Sequence, residues 1–204
     1  MKIFVAILRL AVAAGVATAI VETFFDTASR ATINPFNFFG FFTMQSNIFA
    51  GAVMAVVAVT VLVGRKQSKN LELARACGTT YIALVGIVYN TLLTGLEGGV
   101  SLEWANWVLH VAFPIYAVLD WVLFSDRTAQ PWKRFWLVLV YPIVWLIVVL
   151  ARGATDGWVP YPFLSPAQDG GYATVAIYCV VIALGFAAVG AAVWAISRVR
   201  LLKL

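Results

Sequence analysis

Charge is scarce in this sequence: 11% of its 204 residues are charged, against 63% hydrophobic residues and a mean hydropathy of +0.93. A chain with so little polar surface cannot cover a water-soluble globule, so a bilayer has to be its solvent. Cysteine is nearly absent. Cys77 and Cys179 fall at different depths of different apolar runs, which argues against a disulfide between them. His110 is the only histidine and has no cysteine near it, so the ligand spacing of a metal site is missing and no cofactor is indicated. Neither GxSxG nor HExxH occurs, which removes the better-known hydrolase and protease motifs. No soluble domain, low-complexity tail or internal repeat is visible. The missing repeat weakens an alternating-access transporter built from inverted halves.

What is present is a series of six apolar stretches: Ile3 to Phe25, Asn37 to Val63, Ala74 to Thr94, Trp104 to Phe124, Trp136 to Ala151 and Tyr172 to Ile196. Most exceed the roughly 20 residues that cross about 30 Å of hydrocarbon as helix. They predict an all-α membrane protein, a six-transmembrane-helix bundle forming one domain over residues 1–204. Short gaps make consecutive helices antiparallel neighbours. The 14 Lys and Arg residues fall almost wholly in alternate gaps: only Arg30 and Arg152 lie on one side, and the other side holds Lys2, Arg9, the group from Arg65 to Arg75, the group from Arg127 to Arg134, and Arg198, Arg200 and Lys203. That asymmetry predicts a multi-pass integral membrane protein with both termini cytoplasmic. The pI near 9.4 then reports topology and contact with anionic headgroups, because no basic face suited to nucleic acid is present. No pattern points to a particular oligomer. The N-terminus, with Lys2 before an apolar run and small residues at Ala17 and Ala19, imitates a cleavable signal peptide. Arg9 interrupts the short apolar core such a peptide needs, so the segment is read as the first helix.

Small residues crowd the first helix around Gly15 and the sixth around Gly185 and Gly190, where they would let helices approach closely. Polar residues, costly in lipid, gather toward the side opposite the termini. Thr43, Ser46 and Asn47 share a helical face, with Gly40 and Gly51 leaving room beside them. Glu103, Asn106 and His110 make a second stripe, continued by Pro114, and Asn90, Thr94 and Glu97 a third. Thr43 and His110 each lie six residues inside their span, about 9 Å deep at 1.5 Å rise per residue, so a hydroxyl and an imidazole stand at matched depth. His110 suits a general base; the alternative is a buried histidine bonding a neighbouring helix. Thr43 suits a nucleophile with Asn47, Asn90 or Ser46 as oxyanion donors and Asn106 orienting the imidazole; the alternative is a threonine bonding the carbonyl three or four residues back. Asp120 is read as an interface anchor or as pairing with Arg127, Lys133 or Arg134. Glu22 and Arg152 are read as a pair, or Arg152 as a contact for a substrate headgroup. The run from Arg152 to Pro166 carries Trp158, Tyr161 and Phe163, which fits either an interfacial aromatic belt or a lid over a cavity.

Three segments carry a family resemblance: Phe41-Phe42-Thr43-Met44-Gln45-Ser46-Asn47; Leu109-His110-Val111-Ala112-Phe113-Pro114 followed by Asp120-Trp121; and Gly157-Trp158-Val159-Pro160-Tyr161-Pro162-Phe163-Leu164. They resemble a bacterial six-span family similar to the androgen-induced membrane proteins of animals, including the androgen-dependent regulator of tissue factor pathway inhibitor. The resemblance implies an intramembrane threonine hydrolase of the bacterial plasma membrane that cleaves fatty acid esters of hydroxy fatty acids, with Thr43 as nucleophile and His110 as its base. The expected partner is a lipid substrate. The competing expectation is a non-catalytic lipid-binding or transport protein using the same cavity.

Overall fold

The computed structural model describes residues 1–95 and 102–202. Glu97 and Lys203 lie outside the described residues. Six helices are long and apolar enough to cross a membrane: α1 Lys2–Arg30, α2 Phe42–Leu62, α3 Lys69–Leu93, α4 Glu103–Leu123, α5 Leu137–Thr155 and α6 Gly171–Ile196. The chain is thus an all-helical, multi-pass arrangement, as the hydropathy pattern predicts. α1 and α3 begin, and α4 and α6 end, on one face of the bundle. Arg9 and Arg75 meet Asp126 there, and the C-terminal tail bridges back to Phe124, with the Ser125 N–H donating to the Leu202 carbonyl at 2.9 Å.

The helix ends follow local chemistry. α3 starts five residues earlier than hydropathy alone places it, because the Ser68 hydroxyl caps it by accepting from the Leu71 N–H at 3.1 Å. α2 starts later than expected. The Asn34 side chain accepts from the Phe36 N–H at 2.9 Å and Pro35 follows it, so a separate one-turn helix, Pro35–Phe38, forms first. The chain then bends through Gly40, where a Cβ would lie 2.6 Å from the Trp158 ring and 2.7 Å from the Phe36 carbonyl. Only glycine admits the indole there, and the Gly40 carbonyl accepts from Trp145 Nε1 at 2.9 Å. The room expected beside Gly40 and Gly51 is therefore filled, by Trp158 and Val16 respectively. Thr43 consequently sits in the first turn of α2, so the six-residue depth count from Asn37 does not apply to it.

Proline shapes α4. Pro114 has no N–H to give the carbonyl of His110, and the helix widens into a π turn over Val108–Ala112 just before it. Asn90 supplies the missing donor, its Nδ2 reaching the His110 carbonyl at 3.3 Å from a second π turn, Tyr89–Leu93, at the end of α3. Gly86 lets the two helices meet: an added Cβ would fall 2.8 Å from Pro114 Cβ and 3.4 Å from the His110 oxygen. Gly86→Ala is therefore expected to destabilise the protein by about 1–3 kcal/mol through overpacking, even though alanine is the better helix former by roughly 1 kcal/mol. Thermal unfolding in detergent measures the sign.

α3 is the centre of the bundle, with 56% of its apolar window buried against 17% for α5 and 22% for α6. α2, α4 and α6 pack around it, and α1 covers α2 and the first half of α4. α4 and α5, consecutive in sequence, scarcely touch, contrary to the neighbour rule. Their connection instead passes under the start of α3, where Thr128 bonds Glu72 and Arg134 Nη1 reaches Asn70 at 3.3 Å, and so delivers α5 to the far side. Rings of Phe42, Tyr81, Tyr141, Trp145 and Phe186 interlock between α2, α3, α5 and α6 at centroid separations of 5.2–6.2 Å. Of the small residues, Gly185 and Gly190 do receive neighbours, Leu84 on one and Phe135 and Val138 on the other, whereas Gly15 faces open space. Cys77 and Cys179 are free thiols.

Asp120 does not pair with Arg127, Lys133 or Arg134. It binds Arg9 Nε at 2.8 Å and Arg75 Nη2 at 2.7 Å, because both guanidiniums turn inward from α1 and α3 at its level. Arg127 instead lies over the Trp121 ring at 4.4 Å and donates to the Ile196 carbonyl at the end of α6 at 3.0 Å. Burial and the nearby Arg75 hold its guanidinium down at about 10.

Candidate functional site

Phe41, at the N-cap of α2, has no side chain able to accept the first N–H groups of the helix. Tyr161 does that work from the other end of the sequence. Its hydroxyl accepts from the Thr43 N–H at 3.2 Å and lies 3.3 Å from Thr43 Oγ1. The phenol is clamped by Phe163, stacked at 5.2 Å and 5°, and by the edge of Phe41 at 5.6 Å. Burial pushes the Tyr161 phenol up, and the bonds from Thr43 offset that only in part, so the hydroxyl keeps its proton. Between the two readings of the aromatic loop, the geometry favours the lid: Tyr161 and Leu164 are buried, and Trp158 fills the notch at Gly40. Thr43 makes no bond to a carbonyl of the preceding turn.

Arg152 holds the lid. Its guanidinium binds Asp156 at 2.7 Å and Asn37 Oδ1 at 2.8 Å and lies over the Trp158 ring at 4.3 Å. The expected pairing with Glu22 is not made, because Asp156 lies one helical turn away on the same helix and is nearer to hand. The Trp158 N–H, with Arg152 behind it, holds the Asp156 carboxyl below the usual carboxylate range.

His110 is buried on α4, its ring stacked on Tyr89 at 3.9 Å and 24°. Its Nδ1 lies 3.0 Å from the Asn106 carbonyl oxygen. A carbonyl only accepts, so Nδ1 carries the proton and Nε2 presents a lone pair, which meets no hydrogen-bond donor among the described residues. Asn106 therefore meets the ring through its backbone carbonyl and not through its side chain. Its side-chain Nδ2 donates to the Tyr89 hydroxyl.

The side-chain amides proposed as oxyanion donors are already committed. Asn47 Nδ2 bonds the carbonyls of Thr43 at 2.9 Å and Leu109 at 3.3 Å, and Asn90 Nδ2 those of Gly86 at 2.7 Å and His110 at 3.3 Å. Two protons each, two carbonyls each: nothing is left to give. Ser46 Oγ, Asn47 Oδ1 and Asn106 Oδ1 are buried without a hydrogen-bond partner among the described residues. Thr43 and His110 are not hydrogen-bonded to each other; Asn47 ties the Thr43 carbonyl to the residue preceding His110.

A cavity of about 150 Å³ lies between α3, α5, α6 and the lid. Thr43, Tyr89 and Tyr161 bring the hydroxyls to its wall, and apart from Cys179 the rest of that wall is aliphatic and aromatic. Tyr89 lines the cavity and stacks on the His110 imidazole, which is not itself part of the cavity wall. Among the described residues no three His, Cys, Asp or Glu side chains gather closely enough to hold a metal. Tyr161 and Tyr89 are the members of this site that sequence reasoning missed. The signal for Tyr161 was its place between two prolines in a stretch already suspected as a lid; Tyr89 had none, since only the π turn swings it toward α4. No family model, curated protein or solved structure matches the chain.

Proposed function

We propose that this protein is an intramembrane lipid ester hydrolase in which Thr43 is the nucleophile and His110 the general base, with fatty acid esters of hydroxy fatty acids as the substrate class. The observation that carries the reading is the position of Thr43: a hydroxyl in the first turn of a helix whose own N-cap residue, Phe41, offers no side-chain acceptor, in the wall of a largely apolar cavity. A helix N-terminus carries roughly half a positive charge. An oxyanion forming on a carbonyl attacked by Thr43 would develop beside that charge and beside the Tyr161 hydroxyl. If Tyr161 donates to Thr43 Oγ1 while accepting from the Thr43 N–H, the threonine's own proton is free for a base.

In the first step Thr43 Oγ1 bonds to the ester carbonyl carbon and its proton goes to His110 Nε2. Collapse breaks the bond to the alcohol oxygen, which leaves with that proton, and the acyl group stays on Thr43. Water, deprotonated by His110, then releases the acid and restores the hydroxyl. The reaction requires Thr43 to exchange its resting bond with Tyr161 for one to His110, and Tyr89 to yield the space between; catalytic contacts often tighten only when substrate binds. We place both termini in the cytoplasm on the strength of the cation asymmetry, which puts the lid and Thr43 in the outer leaflet of a bacterial plasma membrane.

A fluorophosphonate probe is expected to label the purified protein on Thr43, read by mass spectrometry of the peptide. A label on any other residue, or none, overturns the assignment. The second reading, a lipid carrier without chemistry, is favoured by the missing Thr43–His110 bond. It predicts co-purified lipid and an unlabelled Thr43.

A further inference from the structure

We propose that the seam between α5 and α6 is the acyl-chain slot of this site. One hydrocarbon chain of an esterified lipid lies along the seam and reaches the Thr43 cavity past Leu146, Leu164 and Cys179. The inference rests on the hydrolase reading for the fate of the ester, and on independent geometry for the chain. At about 150 Å³ the Thr43 cavity is too small for a whole ligand, since small-molecule sites run roughly 300–1,000 Å³. A second hollow of about 490 Å³ opens beside it, between α5, α6 and the lid. The two share Leu146, Leu164 and Cys179 in their walls, so these three side chains are the partition between one space and the other.

Chemistry selects the occupant. None of the residues lining the second hollow is charged, so it offers no counter-charge to a phosphate, carboxylate or ammonium headgroup, and Tyr172 is the one hydroxyl-bearing residue in its wall. It suits a hydrocarbon chain. α5 and α6 are also the least buried of the six helices, and their exposed faces, with Ile147, Val180 and Val181 each more than half exposed, border the lipid from which such a chain comes. The small residues Gly153, Ala154 and Ala176 keep the hollow open toward the lid. The polar end, Thr43 with Tyr161, then lies where the chain's ester would arrive.

The test uses the purified protein in phosphatidylcholine vesicles with a palmitate analogue bearing a mid-chain diazirine. Cross-links are expected on α5 and α6 beside Leu146 and Cys179. Alkylating Cys179 with a bulky maleimide after folding avoids any folding defect, and Cys77 is buried away from the reagent. The adduct is expected to abolish those cross-links, with Cys179→Ser as the unlabelled control. It is also expected to lower the ratio of p-nitrophenyl palmitate to p-nitrophenyl acetate turnover at least about tenfold. Cross-links spread evenly over the exposed helix faces and indifferent to the adduct would mean bilayer lipid only and overturn the slot. Adduct-sensitive cross-links without any ester turnover would support the slot and sink the hydrolase reading instead.

Discussion

His110→Gln is expected to lower kcat for ester hydrolysis by about 10²–10⁴-fold, and Thr43→Ala to leave no turnover above background, while both variants remain folded. Glutamine is the informative choice at 110. Its amide can still donate to the Asn106 carbonyl that holds Nδ1 at 3.0 Å, so the local hydrogen bond survives while the lone pair of Nε2 is lost. If His110 served only to tie α4 together, the glutamine variant would keep its activity or lose it in step with its melting temperature. Under the proposal the two quantities separate. Fluorophosphonate labelling of Thr43 adds a third readout, expected to slow with His110→Gln because the probe also needs an activated hydroxyl. Wild-type turnover in either variant, with fold intact by circular dichroism, ends the assignment.

The bundle was legible because lipid imposes a crude and strong rule: every backbone group must be bonded internally and every span must be long and apolar. Six such runs could therefore be read directly. The breaks inside them depended on finer chemistry. Asn34 and Pro35 spell a helix start, and Gly40 a bend, but apolar Phe36, Phe38 and Phe39 hid them within a continuous hydrophobic stretch. Pro114 announces a disturbance one turn earlier, yet its form as a π turn, and the facing π turn that carries Tyr89, are settled only when α3 and α4 meet at Gly86. The same limit governed the site. Stripe counting found Thr43 and Asn47 on α2 and Asn106 and His110 on α4, two stripes that meet where Asn47 reaches the Leu109 carbonyl, but it credited Asn47 and Asn90 with free amide protons. In the folded chain one proton of each goes to the carbonyl four residues back, Thr43 or Gly86, and the other to the Leu109 or His110 carbonyl beside Pro114 and its π turn. Tyr161 arrives from a loop 118 residues away, a distance no helical periodicity can bridge.

Asp120→Asn is expected to destabilise the protein by about 3–5 kcal/mol, more than any other single change at the end of the bundle that carries the termini. Asp120 and Asp126 stand between Arg9 and Arg75 in a closed ring of ion pairs with no net charge. Arg9 binds both carboxylates, Arg75 binds both at 2.7 Å, and the side chains involved are at most 9% exposed. Neutralising one aspartate leaves two buried guanidiniums facing one carboxylate, which costs the desolvation of an unmatched charge. The ring's net worth against apolar replacement is much smaller, because burial offsets most of the attraction. Removing a matched pair should therefore recover most of the loss: Arg75→Met combined with Asp120→Asn restores neutrality, with Arg9 and Asp126 still bound to each other. Burial alone would raise the Asp126 carboxyl, but Arg75 and Arg9 outweigh it and hold it well below the usual carboxylate range. A depressed carboxylate stabilises fully above its unfolded value, near pH 3.9, and loses that contribution only as pH falls toward the folded value. Unfolding of the wild type should thus be insensitive to the titration of Asp126 between about pH 5 and 7. A loss in the double variant equal to the sum of the Asp120→Asn and Arg75→Met losses would show that the four side chains act separately and that the ring is not the unit holding α1, α3 and α4 together.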